Sequence, residues 1–329
     1  MCRWGSIWKM ESTEVWNAQA VRRKPKRQGF EKWFDTLVLS ALLLLPAGIL
    51  FTVYQVLQGD AWLAAAGLLV AALGGLGVYA RLIMPFSLRV KTLGIGPASP
   101  ALSKPLKVVF FTDLHVGRVK QAAWTRKVVS LVNAQQPDVV LLGGDFIGHV
   151  DAEAIPGMLA PLADLCTPLG VFAVFGNHDY GLPGMDHSAL LEKCFQQMNI
   201  RLLHNENLTL DGRLELVGID ELWEGYADVK LAFQGSGLTP GTRRIVLGHN
   251  PDLMSQISEP ADLYLFGHTH GGQIYLPIIS RRIVPVAGDM YRGEYHLLQG
   301  LVYVSSGCGE TTTPTRLGAP VEIVSVMLY

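Results

Sequence analysis

Between residues 36 and 80 the chain carries a single charged side chain, Asp60. A stretch so poor in charge offers no polar face to water, which restricts it to a protein core or a lipid bilayer. Thr36–Leu57 is one uncharged run and Ala61–Ala80 a second, with Gln58-Gly59-Asp60 between them. As a helix the first would reach about 33 Å at ~1.5 Å per residue, against a hydrocarbon thickness of roughly 30 Å. A long helical hairpin buried in a soluble core is the alternative. Water-soluble helices keep one polar face, and neither run has one. The sequence therefore predicts a two-helix transmembrane hairpin with spans 36–57 and 61–80.

Charge gives the hairpin a direction. Residues 1–35 hold eight Lys/Arg against four Asp/Glu, whereas residues 81–329 hold 19 against 23. Arg22, Arg23, Lys24, Lys26 and Arg27 precede the first span, and Arg81, Arg89 and Lys91 follow the second. The connecting loop has no Lys or Arg, so both flanks are expected in the cytoplasm, with 1–35 a basic arm touching anionic lipid. This reading makes the chain a multi-pass protein of the inner (cytoplasmic) membrane with its catalytic domain on the cytoplasmic side. Arg22-Arg23 resembles a twin-arginine export signal, but a second apolar run directly behind the first argues against export and against a cleaved signal peptide. Four cysteines without framework spacing (Cys2, Cys166, Cys194, Cys308) agree with a reducing compartment. A net charge of -1 argues against a nucleic-acid partner, and the sequence points to no protein partner.

Beyond the hairpin, residues 81–105 read as a linker and domain edge, since Gly96, Pro97, Pro100 and Pro105 punctuate them. Residues 106–329 read as one domain. Short apolar runs predict strands at Lys107–Thr112, Asp138–Leu142, Val171–Phe175, Leu214–Ile219, Arg244–Leu247, Leu263–Phe266, Leu301–Ser305 and Val321–Leu328. Helical spacing predicts helices at Trp124–Ala134 and Ile155–Leu165. Strands alternating with helices, then shorter strands, indicate an α/β fold of mixed sheets covered by helices.

Polar chemistry collects where these strands end. The clusters are Asp113-Leu114-His115, Gly144-Asp145, Gly176-Asn177-His178-Asp179, Gly248-His249 and Gly267-His268-Thr269-His270. In open α/β sheets the carboxyl ends of strands form the crevice where ligands sit, so five such clusters can converge. Imidazole nitrogens and carboxylate oxygens without cysteine suit a pair of divalent ions: manganese, iron or zinc. Asp145 has two oxygens with which to bridge two ions, and Asn177 offers a neutral one.

With these blocks in this order, the chain resembles the calcineurin-like metallophosphoesterase family, from roughly residue 86 to the C-terminus. The resemblance implies two mixed β-sheets in a sandwich flanked by helices. It implies one ion held by Asp113, His115, Asp145 and His270, and a second by Asp145, Asn177, His249 and His268. His178 would then sit beside the substrate phosphate, oriented by Asp179. A membrane segment ahead of the domain, Gly271-Gly272-Gln273 behind the last block, and the late Val304–Gly309 segment with Arg316 and Glu322 are similar to a membrane-associated bacterial branch. That branch includes the pyrophosphatase acting on UDP-2,3-diacylglucosamine in lipid A synthesis. It implies hydrolysis of a phosphodiester or pyrophosphate bond in an amphiphilic substrate, such as that nucleotide-linked sugar or a phospholipid. A general phosphodiesterase or phosphomonoesterase on soluble substrates, and a non-catalytic scaffold domain, are the alternatives.

Other features are weaker. Arg118 follows the first block, and Arg281 and Arg282 lie within an apolar stretch at 274–284. All three are candidates for binding phosphate or lipid headgroups, the stretch otherwise being a connection packed on the sheet. The Asp220–Tyr226 loop reads as a surface turn, the alternative being a wall of the leaving-group pocket.

Overall fold

The computed structural model describes residues 36, 39, 40, 42–96, 102, 104–182, 184–237, 239–275, 284, 286–311 and 313–329. The basic arm 1–35, Arg281 and Arg282 lie outside these residues, as does part of the first expected span.

Two apolar helices open the described chain, α1 (Leu44–Gln58) and α2 (Ala61–Val78). The turn between them is encoded locally. Gly59 closes α1 in the left-handed conformation, and the Asp60 carboxylate caps α2 by accepting from the Leu63 amide at 3.0 Å. The buried residues of α2 are Ala64, Gly67, Ala71 and Gly74, a stripe of small side chains at helical spacing. Against that stripe α1 lies antiparallel and close, Gly48 opposite Ala71 and Leu45 opposite Gly74. The opposite faces are bare apolar surface, with Leu50, Trp62 and Leu69 all more than 60% exposed. With its continuation through a π turn (Tyr79–Ile83) and a 3₁₀ turn (Met84–Phe86), α2 forms an apolar helix of 26 residues, long enough to cross a membrane.

The rest is a sandwich of two six-stranded mixed sheets. The first runs β1 (Leu88–Ile95), β12 (Val321–Leu328), β2 (Leu106–Phe111), β3 (Val139–Leu142), β4 (Val171–Ala173), β5 (Ile200–Leu202). Only the β12–β2 pairing is antiparallel. The second runs β10 (Gly293–Leu297), β11 (Gly300–Val304), β9 (Leu263–Phe266), β8 (Arg243–Leu247), β7 (Leu214–Gly218), β6 (Glu206–Leu210), parallel from β11 to β7. Period-two alternation sorts the side chains. Leu106, Val108 and Phe110 of β2 join Ile245, Leu247, Leu263 and Leu265 between the sheets. Val109 and Phe111 instead face outward onto Val128 and Val132 of α3 (Ala122–Ala134).

Two sequence expectations are refined. Within 81–105, expected as linker and domain edge, lies β1, the edge strand of the first sheet, paired in parallel along all of its length with β12. The helix expected over 155–165 is α-helical only at Ile155–Leu159 (α4), passing into a 3₁₀ turn at Ala160–Asp164. Two short further helices, α5 (Ser188–Gln197) and α6 (Val229–Ala232), complete the frame.

Candidate metal centre

Each predicted block follows the carboxyl end of a strand: Asp113 and His115 after β2, Asp145 after β3, Asn177 after β4, His249 after β8, His268 and His270 after β9. Two sheets thus deliver side chains to one end of the sandwich, and all seven are buried. The backbone there is strained. Asp113, His115, Asp145, His268 and His270 have φ between 44° and 69°, the left-handed region that non-glycine residues avoid. Such conformations cost about 1–3 kcal/mol each and persist where the surroundings over-determine them. Here the surroundings include a close approach of two loops: a Cβ on Gly176 would fall 2.3 Å from Asp145 Oδ1. Glycine alone leaves room for that carboxylate.

Backbone carbonyls fix the imidazoles. His115 Nδ1 lies 3.2 Å from Ile147 O, His249 Nδ1 2.8 Å from Gly143 O, and His270 Nδ1 3.1 Å from Gly309 O. A carbonyl can only accept, so each Nδ1 carries its proton and donates, which leaves Nε2 as the ring atom facing the cage. His115 Nε2 and His270 Nε2 approach to 3.2 Å, as do His249 Nε2 and His268 Nδ1. Asp145 stands between the two pairs. Its Oδ2 is 3.3 Å from both His115 Nε2 and His249 Nε2, while Asp113 Oδ1 is 3.6 Å from His270 Nε2.

Electrostatics follow from burying these groups together. Burial opposes the charged form of Asp145, yet His249, His178 and His115 override it and hold the carboxyl well below its ordinary range. Burial likewise disfavours a charged His249, but Asp145 more than compensates and pushes it up to about 10. His270, buried beside His115, is driven well below the ordinary imidazole value. The cage is a set of inward-facing ring nitrogens around a carboxylate, Asp145, that stays negative.

That arrangement suits cations. Asp113, His115 and His270 converge tightly enough to hold one, and Asp145, His249 and His268 a second. Asn177 adds an independent indication, because its Oδ1 is buried with no hydrogen-bond partner among the described residues while its Nδ2 donates to Leu182 O. A buried carbonyl oxygen without a donor is costly, and a cation satisfies it.

The remaining predicted residues fall in different places. His178 is half-buried, its ring edge-on to His115 with centroids 4.7 Å apart. Burial lowers it to about 4, so the ring is neutral. Asp179 does not orient it. Its carboxylate accepts from the amides of Asp145, Phe146 and Gly176, all at 2.9 Å, and so clamps the β3 and β4 loops together. Arg118 sits exposed on the turn closed by Gly117 N donating to Lys120 O.

Sequence reading missed one group beside the cage and gave the wrong weight to another. Lys120 and Arg316 share the buried Glu310 Oε1, at 2.9 Å from each, directly behind the Gly309 carbonyl that fixes His270. The other is the Asp220–Tyr226 loop, expected as a surface turn with a pocket wall as the alternative: Tyr226 is exposed, but Glu221 is fully buried and Trp223 meets His268 edge-on at 4.3 Å. The strand-end position of Asp220-Glu221 after β7, shared with the five blocks, is the signal that could have found it.

Comparison with known proteins agrees with this geometry. Residues 106–272 match the family described as calcineurin-like phosphoesterase. The phosphodiesterase YaeI of Escherichia coli (strain K12) is 33% identical over 62% of this chain and 76% of its own length. The uncharacterized metallophosphoesterase YkuE of Bacillus subtilis (strain 168) is 32% identical over 82% of this chain and 94% of its own length. A Bos taurus transmembrane protein with metallophosphoesterase domain is 29% identical over 70% of this chain and 54% of its own. With sandwich, strand-end histidines and carboxylate cage in agreement, the chain belongs to the calcineurin-like phosphoesterase family of metal-dependent phosphoester hydrolases.

Proposed function

We propose that this protein is a membrane-anchored phosphoesterase with two divalent ions, cleaving a phosphodiester or pyrophosphate bond in an amphiphilic substrate. The observation that carries the reading is Asp145, one of whose oxygens lies 3.3 Å from a histidine of each half of the cage. Divalent ions bound there would polarise phosphoryl oxygens and activate water as the nucleophile. Asp113, His115, Asp145 and His270 would hold one, and Asp145, Asn177, His249 and His268 the other. Manganese, iron and zinc all accept this donor set.

His178, neutral and half-buried beside the cage, is assigned to the leaving oxygen. A bound phosphoester brings negative charge next to its ring, which favours the protonated form and lets it donate. Asp179 serves by rigidity, fixing Asp145 and the His178 loop through backbone amides.

The membrane half rests on the apolar helix Ala61–Phe86 and on how its end is tied to the site. Arg316 N donates to Ala80 O at 2.9 Å, and Arg81 Nη1 to Pro314 O at 2.9 Å. Pro314 and Arg316 thus hold the helix end while Gly309 holds His270, which supports an active site held near the bilayer. The domain division (arm 1–35, hairpin 36–80, domain 81–329 including β1) and the cytoplasmic orientation belong to this proposal, as does a lipid-linked substrate such as UDP-2,3-diacylglucosamine or a phospholipid.

The test uses detergent-solubilised full-length protein with added manganese, offered a nucleotide-linked acyl sugar, a phospholipid and an aryl phosphodiester. Metal-dependent turnover fastest on an acylated substrate is expected. Preference for the aryl diester would favour soluble substrates, and no turnover on any of the three would favour a scaffold. In His178→Ala, turnover should fall about 10²–10⁴-fold with both ions retained.

A further inference from the structure

The loop that follows β7 reaches the ligands of one ion and not those peculiar to the other. Trp223 lies edge-on to His268, ring centroids 4.3 Å apart at 86°. Glu221 is fully buried, its Oε2 accepting from the Glu224 amide at 2.6 Å. Its Oε1 has no hydrogen-bond partner among the described residues. Tyr180, on the turn carrying Asn177, donates to the Asp220 carboxylate at 2.9 Å and stacks on Tyr226 at 4.3 Å. His268 is thus in contact with this loop, and the turn that carries Asn177 is tied to it through Tyr180. Asp113, His115 and His270 are held by other groups: the His268 amide donates to Asp113, and the Ile147 and Gly309 carbonyls accept from the two rings.

We infer that Asp220–Tyr226 is a positioning loop for the ion at Asn177, His249 and His268, with the buried carboxylate of Glu221 and the ring of Trp223 setting that ion's affinity. The inference rests on the dinuclear reading above. A carboxylate and an aromatic wall behind ligating imidazoles hold the rings in their coordinating orientation, and losing such support typically weakens metal binding about 10–100-fold. The other ion has its own supports and should not respond.

Calorimetric titration of the metal-stripped full-length protein with Mn²⁺, paired with metal analysis, tests this without reference to turnover. Wild type should take up two ions. Glu221→Gln and Trp223→Ala should bind one with unchanged affinity and the other about tenfold or more weakly, whereas Trp223→Phe, which keeps a ring against His268, should stay near wild type. Glu221→Gln is isosteric and carries the test should Trp223→Ala fail to fold. Two ions in wild type with unaltered affinities in Glu221→Gln and Trp223→Ala would overturn the loop's role, as would equal weakening of both ions. A wild type that binds one ion would overturn the dinuclear reading itself.

Discussion

Glu310 is the carboxylate on which two buried cations depend. Lys120 and Arg316 each approach the same oxygen, and Lys120 also donates to Cys308 O at 2.6 Å and lies 4.0 Å over the Trp124 ring. Removing the one anion from such a cluster leaves buried like charges, so Glu310→Gln should cost about 3–5 kcal/mol in unfolding free energy. Lys120→Met should cost less, because Glu310 keeps Arg316. The pH dependence has a definite sign. Burial lowers Lys120 from 10.5 to about 8 despite Glu310, so between pH 8 and 10.5 the unfolded chain binds the proton that the folded chain has released. Stability attributable to Lys120 therefore rises with pH across that window and is flat below it. Thermal unfolding of wild type and Lys120→Met from pH 7 to 10.5 should show the difference shifting toward wild type above pH 8. A constant difference would mean that Lys120 titrates normally. The Lys120–Glu310 pairing was not legible in the sequence, since the two lie 190 residues apart and nothing local marks either as buried. The seven cage residues were legible, because each stands within a few positions of a buried strand's end.

Among the secondary-structure elements, what could be read depended on how completely each is buried. Strands β2, β3, β8 and β9 are buried along almost their whole length; β3 and β9 appear in the sequence as unbroken apolar runs, and β2 and β8 as apolar runs that follow Lys107 and Arg243-Arg244. Strands β1, β6 and β10 have mixed burial and lie at sheet edges, so their residues carry no such run. The hairpin helices show the converse: their lack of charge is plain in the sequence, but which face meets which is not. That face is set by small residues. A Cβ on Gly74 would fall 2.2 Å from Leu45 N, so Gly74→Val must force the helices apart. Spin labels at Leu50 and Leu69, both outward-facing, should report a longer inter-helix distance in that variant, toward the about 8–10 Å axial spacing of bulkier contacts. An unchanged distance would show that the glycine stripe does not set the packing.

For the whole molecule, the issue is how a soluble-type sandwich is disposed about its apolar hairpin. The proposed orientation puts the domain and the arm on one face of the membrane and Gln58-Gly59-Asp60 on the other. Cys166 is exposed, whereas Cys194 and Cys308 are buried, so Cys166 is a natural reporter on the domain. In a Cys2→Ser background, a membrane-impermeant maleimide should label Cys166 in inside-out vesicles and not in right-side-out ones. A cysteine at Gln58, with Cys166 replaced by serine, should show the reverse. Labelling of both from the same side would refute a two-span hairpin, and an inverted pattern would place the domain outside.

Patterning alone determined the order of parts: an apolar hairpin, then an α/β domain with metal-binding side chains at its strand ends. These are consequences of local chain chemistry, since apolar runs must be buried and strand ends are where a buried backbone turns outward. Tertiary structure alone decided that Asp179 braces backbone instead of an imidazole, and that the loop after β7 closes on His268. Those outcomes depend on contacts between segments far apart in the chain, whose distances and desolvation come into being only when two sheets are stacked.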